Sequence, residues 1–347
     1  MKQMLCVGLG LCLAVSQIVS AQPASPAGAD AYMGDWEGTL KLGGAEQSVA
    51  VYMIPQGDGK YQARVASEFN KRVPVLFDVR GLLQDAAFRA VDAVPFDVSR
   101  VLGTTGAGVV VDASLWTGKL EGGVLTGTVD GKDKGTFTLK QAERTSPTLG
   151  QKPPAGAIVL FDGTNLDAWQ KRDGKPAEWR LVEGEAMQVG GGDVLTKEEF
   201  GDFRLHLEFR TPYMPTSGGQ GRGNSGVYVQ GRYEVQVLDS YGLEGADNEC
   251  GGIYQIAQPA ANMCFPPLAW QTYDMTFQAP RFGPQGERLA GARVTVMHNG
   301  VTIHDDLELP HVTPGGVSDK ESPTGPLLLQ DHGNPVQYRN IWIETQK

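Results

Sequence analysis

Arg232-Tyr233-Glu234-Val235-Gln236-Val237 alternates a polar side chain with an apolar one at every step. Successive side chains of an extended strand point to opposite faces. Tyr233, Val235 and Val237 therefore share one face, and Arg232, Glu234 and Gln236 the other. Leu205-His206-Leu207-Glu208-Phe209-Arg210 repeats the pattern, with His206, Glu208 and Arg210 on its polar face. A helix would bring apolar residues round every three or four positions, so a period of two predicts half-buried β-strands. His298-Asn299-Gly300-Val301 predicts a two-residue hairpin turn, because Asn and Gly accept positive φ, and that register sets Val296 opposite Ile303. Further strands at 327–330 and 336–343 flank the turn Asp331-His332-Gly333-Asn334-Pro335. Many strands joined by Gly- and Pro-rich loops make residues 157–347 an all-β sandwich of jelly-roll type.

Upstream, residues 143–156 read ERTSPTLGQKPPAG, with three prolines and no apolar period, which marks a linker. Residues 31–142 form a smaller β-rich domain whose role the sequence does not indicate. Strands at 115–121, 124–130 and 135–140 predict an antiparallel meander there, and 69–74 and 82–88 hint at a helical turn. Residues 22–30 are a flexible leader rich in Ala, Pro, Ser and Gly. Residues 1–21 read as a cleavable secretory signal, with Lys2, an apolar run from Met4 to Val19, and small residues up to Ala21. The expectation is an exported protein, periplasmic or secreted. No other stretch approaches a membrane-spanning length. Removing the signal leaves Cys250 and Cys264, fourteen residues apart. In an oxidising compartment they are expected to close a disulfide worth about 3 kcal/mol; the alternative is two buried thiols.

The chain has 347 residues, and 46 Gly with 21 Pro place turns throughout it. Thirty basic against forty acidic residues give a net charge of −10, which argues against a broad nucleic-acid grip. Gly221-Arg222-Gly223-Asn224-Ser225-Gly226 spells G-x-G-x-x-G, but Val227-Tyr228-Val229 continues as a strand where a dinucleotide site needs a helix. No nucleophile elbow, zinc-protease motif or P-loop occurs. The chemistry left is carboxylate, imidazole, amide and guanidinium on strand faces, which suits a polyhydroxylated ligand, with Tyr228, Tyr233, Tyr254 or Trp270 for a sugar face.

The segments at 160–169 (LFDGTNLDAW), 223–228 (GNSGVY), 233–240 (YEVQVLDS), 298–301 (HNGV), 329–336 (LQDHGNPV) and 339–342 (RNIW) resemble, in this order, the 3-keto-disaccharide hydrolase domain family. The resemblance covers about 157–347 and implies a concanavalin-like sandwich that cleaves glycosidic bonds of 3-keto-glycosides. A ketone at C3 acidifies the C2 proton; its removal gives an enolate that expels the C1 substituent, and water addition completes hydrolysis. Such a site needs a base, an oxyanion stabiliser and an acid. Glu234 and His332 are the candidate catalytic residues, the latter beside Asp331 and Asn334. Arg210, Asn224, Tyr228, Gln236 and Glu208 are candidate substrate contacts. A divalent metal is an open option without a clear ligand set. Two other classes fit the residues: a non-catalytic, lectin-like carbohydrate-binding module, and a two-carboxylate glycoside hydrolase using Glu208 with Glu234. The oligomeric state is not indicated.

Overall fold

A computed structural model describes residues 30–84, 87–94, 115–130 and 134–346. The expected signal at 1–21 lies outside the described residues, as does all of the expected leader but its last residue.

The first block is a ring of eight strands: β1 (Gly34–Leu42), β2 (Ala45–Gly57), β3 (Lys60–Ala66), β4 (Val75–Gln84), β5 (Ala87–Val94), β6 (Leu115–Glu121), β7 (Val124–Asp130) and β8 (Gly135–Ala142). Each pairs antiparallel with the next, and β1 returns to β8 from Asp35↔Ala142 to Leu42↔Gly135, closing a barrel. The expected meander is β6 to β8. Alternate residues such as Leu40, Val51, Met53, Val65, Leu125 and Leu139 point inward and form an apolar core. A Cβ at Gly38 would lie 2.0 Å from the Thr138 carbonyl oxygen, so only glycine lets β1 and β8 close at that point. Neither expected helical turn forms among the described residues, and 85–86 lie outside them. Residues 69–74 are irregular, while Leu82 lies in β4 and Phe88 in β5, where pairing across the hairpin holds both extended.

The second block opens with β9 (Ile158–Phe161), β10 (Trp169–Lys171), β11 (Arg180–Val182), β12 (Ala186–Gln188), β13 (Val194–Thr196), β14 (Phe203–Arg210), β15 (Ser225–Val229) and β16 (Tyr233–Val237). It continues through β17 (Gln271–Gln278), a small ribbon of β18 (Arg281–Phe282) and β19 (Arg288–Ala290), then β20 (Ala292–His298), β21 (Val301–Leu309), β22 (Leu328–Leu329) and β23 (Gln337–Thr345). Two sheets stack. One runs β10-β13-β22-β15-β16; the other runs β11-β12-β23-β14-β17-β20-β21, with β9 also on β23. Leu205, Leu207 and Phe209 of β14 meet Tyr233, Val235 and Val237 of β16 in one core, as the alternation requires. The outer edge of β16 is occupied by residues 251–254: Gly251 N donates to Gln236 O at 2.9 Å, Gln236 N to Gly252 O at 2.9 Å and Tyr254 N to Glu234 O at 3.3 Å.

Two local expectations are corrected. The β20–β21 turn forms with positive φ at Asn299 (50°) and Gly300 (78°), but Val296 pairs with His304 rather than Ile303. A bulge inserts one extra residue in β21, and Ile303 still reaches the core. Cys250 and Cys264 are free, buried thiols and not a disulfide. The two thiols lie side by side; Cys250 Sγ is also 3.3 Å from Tyr273 Oη, and Cys264 Sγ donates to Leu238 O at 3.4 Å.

The segment at 143–156 is pinned along the eight-stranded sheet rather than loose. Thr148 Oγ1 donates to Asp274 at 2.6 Å and Gly150 N to Glu208 at 2.6 Å. Barrel and sandwich are joined at Arg144, which pairs with Asp35 through Nε (2.7 Å) and Nη2 (2.9 Å) and lies over the rings of Phe69 and Phe265. Tyr241 of the sandwich donates to Asp35 at 2.8 Å.

Candidate active site

Glu234 and Gln236 project from β16 away from the core, onto the outer face of the five-stranded sheet. On neighbouring β15, Tyr228 stands directly across from Glu234 and Gly226 across from Gln236. Directly opposed side chains on adjacent strands are in contact range, and the Tyr228 hydroxyl lies close enough to the Glu234 carboxylate to favour its charged form. Glycine at 226 makes room for that carboxylate, since a Cβ there would lie 2.3 Å from Glu234 Oε1. β22 adds the next row: Gln330 N donates to Gly226 O at 2.9 Å, and Gln330 Nε2 to Tyr228 Oη at 3.2 Å. Tyr228 in turn donates to Pro314 O at 3.0 Å.

Glu234 is only 3% exposed, and its pKa is pushed up to about 7. Burial is the main cause; the nearby Tyr228 hydroxyl opposes it, and the charge of Asp193 adds to it. A carboxyl poised near neutrality both accepts and returns a proton at physiological pH. Carboxamides surround it. Asn224 Nδ2 donates to Gln220 O (2.8 Å) and Oε1 (3.1 Å), and Gln236 Nε2 reaches the same Oε1 at 3.5 Å. The far oxygens, Asn224 Oδ1, Gln236 Oε1 and Gln330 Oε1, are buried with no hydrogen-bond partner. Folded proteins satisfy nearly all such atoms. Three unpartnered amide oxygens thus lie on the sheet face that carries the buried carboxyl.

At the rim, Arg172 donates to Asp193 at 2.7 Å and to the carbonyls of Gly315 and Gly316, tying the 315–316 loop beside Tyr228. His332 is exposed and makes no hydrogen bond to a described residue. Asp331, the expected orienter of its imidazole, instead accepts from Gly192 N at 2.8 Å and Gly333 N at 2.9 Å. Asn334 is also engaged, accepting from Asn224 N at 2.8 Å.

Glu208 and Arg210 stand elsewhere. They leave β14 on the outer face of the other sheet, so Glu208 and Glu234 point away from each other across a two-sheet core roughly 10 Å thick. That arrangement rules out this pair as the acid and base of a two-carboxylate hydrolase, which must flank one bond at about 5–9.5 Å. Glu208 is an anchor. Burial would raise its pKa, but His206 at 3.8 Å, bonds from Asn340 and Gly150 N, and the charge of Arg339 hold it at about 2. His206 completes the cluster through Asp274, at 2.6 Å. Arg210 donates to Gln337 at 2.7 Å and, with Arg339, packs on Trp270.

Thus Glu234, Tyr228, Gln236 and Asn224 are brought together, and Glu208 and Arg210 are not. Gln330, Gln220, Asp193 and Arg172 were missed. For Gln330 a signal existed: with Leu329 in the core, alternation puts its neighbour on Glu234's face. The others arrive from loops whose course no period reveals. Among the described residues no cluster of three His, Cys, Asp or Glu is placed to hold a metal ion. Nor does any described helix have the length and apolarity to cross a membrane.

The model of the 3-keto-alpha-glucoside-1,2-lyase-like domain matches residues 156–344. A 3-keto-disaccharide hydrolase of Bacteroides thetaiotaomicron is 30% identical over 122 residues, which are 32% of this chain and 38% of that protein. The chain thus aligns with well under half the length of that curated relative. A crystal structure from Parabacteroides distasonis, described as a "putative glycosyl hydrolase", is 39% identical with a TM-score of 0.52, covering 56% of this chain and 86% of the other.

Proposed function

We propose, since this chain belongs to the 3-keto-alpha-glucoside-1,2-lyase-like domain family, that it cleaves the glycosidic bond of 3-keto-glycosides, with Glu234 as the base. The observation that carries this reading is the buried Glu234 carboxyl, near neutrality, with three unpartnered amide oxygens on the same sheet face. Each orphan oxygen suits a sugar hydroxyl donor. The Glu234 carboxylate takes the C2 proton, and the C–H electron pair becomes the C2–C3 enolate. Gln236 Nε2, whose one bond is a 3.5 Å contact to Gln220, is the amide donor on this face left for the developing charge. Collapse of the enolate forms a C1–C2 double bond and expels the C1 oxygen, which takes up a proton as it leaves. Water addition at C1, with return of a proton to C2, completes net hydrolysis. His332 belongs to the rim in this scheme, and His332→Ala is expected to keep most turnover.

The test is to incubate the full chain with a 3-keto-disaccharide and with its unoxidised parent, following products by mass spectrometry. Loss of the keto sugar alone, abolished by Glu234→Gln, is expected. Loss of the parent at equal rate, or full activity of Glu234→Gln, overturns the reading. A ligand that binds without product release would instead identify a lectin-like module. We propose further that the protein acts outside the cytoplasm, on the strength of the signal pattern at 1–21; recovery of the chain in the cytosolic fraction with its first residues intact would refute that.

A further inference from the structure

The barrel at 34–142 lies outside the matched family region, yet it touches the loop that furnishes the amides of the site. That loop, 211–224, joins β14 to β15 and ends in Gln220 and Asn224. Arg222 sits between them, 5% exposed, with its side chain turned away from the site. Its Nε donates to Asp239 at 2.6 Å, and its Nη1 donates to Pro55 O of barrel strand β2 at 3.1 Å. The same Nη1 reaches Pro215 O and Ser217 O, each at 3.4 Å, so one guanidinium gathers the loop's two limbs onto the barrel. Asp239 N returns a bond to Arg222 O at 3.1 Å. A second contact lies two residues along β2: a Cβ at Gly57 (φ 78°) would meet Thr216 Cγ2 at 2.5 Å. Ile54 of β2 is itself part of the sandwich core and would meet a Cβ at Gly242 at 2.7 Å.

We propose that the barrel is a working part of the site: through Pro55 and Gly57 it holds the 214–222 loop, and Arg222 is the positioning residue that sets Gln220 and Asn224 against Gln236 and Glu234. Arg222 touches no substrate in this arrangement. It acts by fixing carboxamides whose partners are ligand hydroxyls, so loosening it weakens binding more than chemistry. The inference rests on the site reading above.

The test uses the full chain and a loop lever distant from the reacting atoms. Gly57→Ala pushes Thr216, whereas the double variant Gly57→Ala/Thr216→Ser removes the methyl that clashes while keeping the strained backbone. On a 3-keto-disaccharide, Gly57→Ala is expected to raise KM about tenfold with kcat within about twofold, and the added Thr216→Ser to restore KM. Arg222→Lys, which keeps a charge for Asp239 but lacks the second arm toward Pro55 O, is expected to shift KM in the same direction. Hydrogen exchange over 214–224 reads the coupling without substrate: faster in Gly57→Ala, restored in the double variant. Unchanged exchange, or an unchanged KM in an active enzyme, overturns the inference. Full activity of Glu234→Gln, by contrast, sinks the site reading and leaves the exchange result to judge the barrel's hold on the loop. Should Gly57→Ala fail to fold, Arg222→Lys carries the same two readouts.

Discussion

Replacing Glu234 by Gln should remove activity and at the same time stabilise the fold at alkaline pH. The folded carboxyl has a pKa near 7 against a reference of 4.5, a rise caused chiefly by burial. A group raised in the folded state loses stability as pH climbs through that window. Below about pH 4.5 both states hold the proton and nothing is lost; above about pH 7 the fold carries a buried charge. The gap of about 2.5 pKa units corresponds to about 3 kcal/mol. Glutamine keeps the shape and a donor for the Tyr228 oxygen but never ionises. Relative to wild type, then, Glu234→Gln should gain about 3 kcal/mol between pH 4 and pH 8. For a sandwich of this size that is about 6–12 °C in Tm, if it melts in one step. Thermal or urea melts of both proteins at the two pH values provide the measurement, and taking the difference cancels every other titrating group. A wild-type-to-variant gap that is equal at pH 4 and pH 8 would refute the claim that this carboxyl is poised by burial. A reactive group held at a cost to stability is the expected mark of a site and not of a core.

Other outcomes follow from the same geometry. The rate constant kcat/KM should fall about fiftyfold from pH 7 to pH 5 as Glu234 gains its proton, and Tyr228→Phe, which removes a hydroxyl that favours the carboxylate, should move that limb upward, readable in a pH–rate profile. Gly226→Ala places a methyl 2.3 Å from Glu234 Oε1 and should cost about a hundredfold in kcat/KM while the chain stays folded by circular dichroism. Glu208, held at about 2, contributes stability that is present above about pH 4.5 and lost as pH falls toward 2, so Glu208→Gln should be less stable than wild type by about 3 kcal/mol at pH 7 and equal to it near pH 2 in urea melts. Cys250 and Cys264 should both take up iodoacetamide after unfolding without reductant, and neither should before, as peptide mapping would show.

Alternation made β14 and β16 legible before any coordinates, down to which residues share a face. It also outlined β6 and β7, because turn residues bracket them. What alternation lacks is the sheet to which each strand belongs. Glu208 and Glu234 both read as outward-facing acids, and only the stacking order decides that they look in opposite directions. The same limit hid the closing β1–β8 pair, which joins residues about a hundred positions apart. His332 drew notice for its chemistry, whereas Gln330, two residues earlier, carries the better geometry. The hairpin at 298–301 was read correctly at its turn and wrongly at Val296, because a one-residue bulge leaves no mark in composition. Spacing rightly brought the two cysteines together, but in the structure they stand side by side as free thiols.

The edge of β16 has one more consequence. Residues 251–254 and the Thr313 hydroxyl already occupy the edge donors and acceptors at Glu234 and Gln236. An extended peptide therefore has no vacant edge to join there, and recognition by strand addition is closed to this site. Nor can a second copy of the chain zip onto that margin and bury the carboxyl in a fibril. Whatever reaches Glu234 comes down onto the face of the sheet and is read by side chains alone, which confines selectivity to a handful of amides and one phenol.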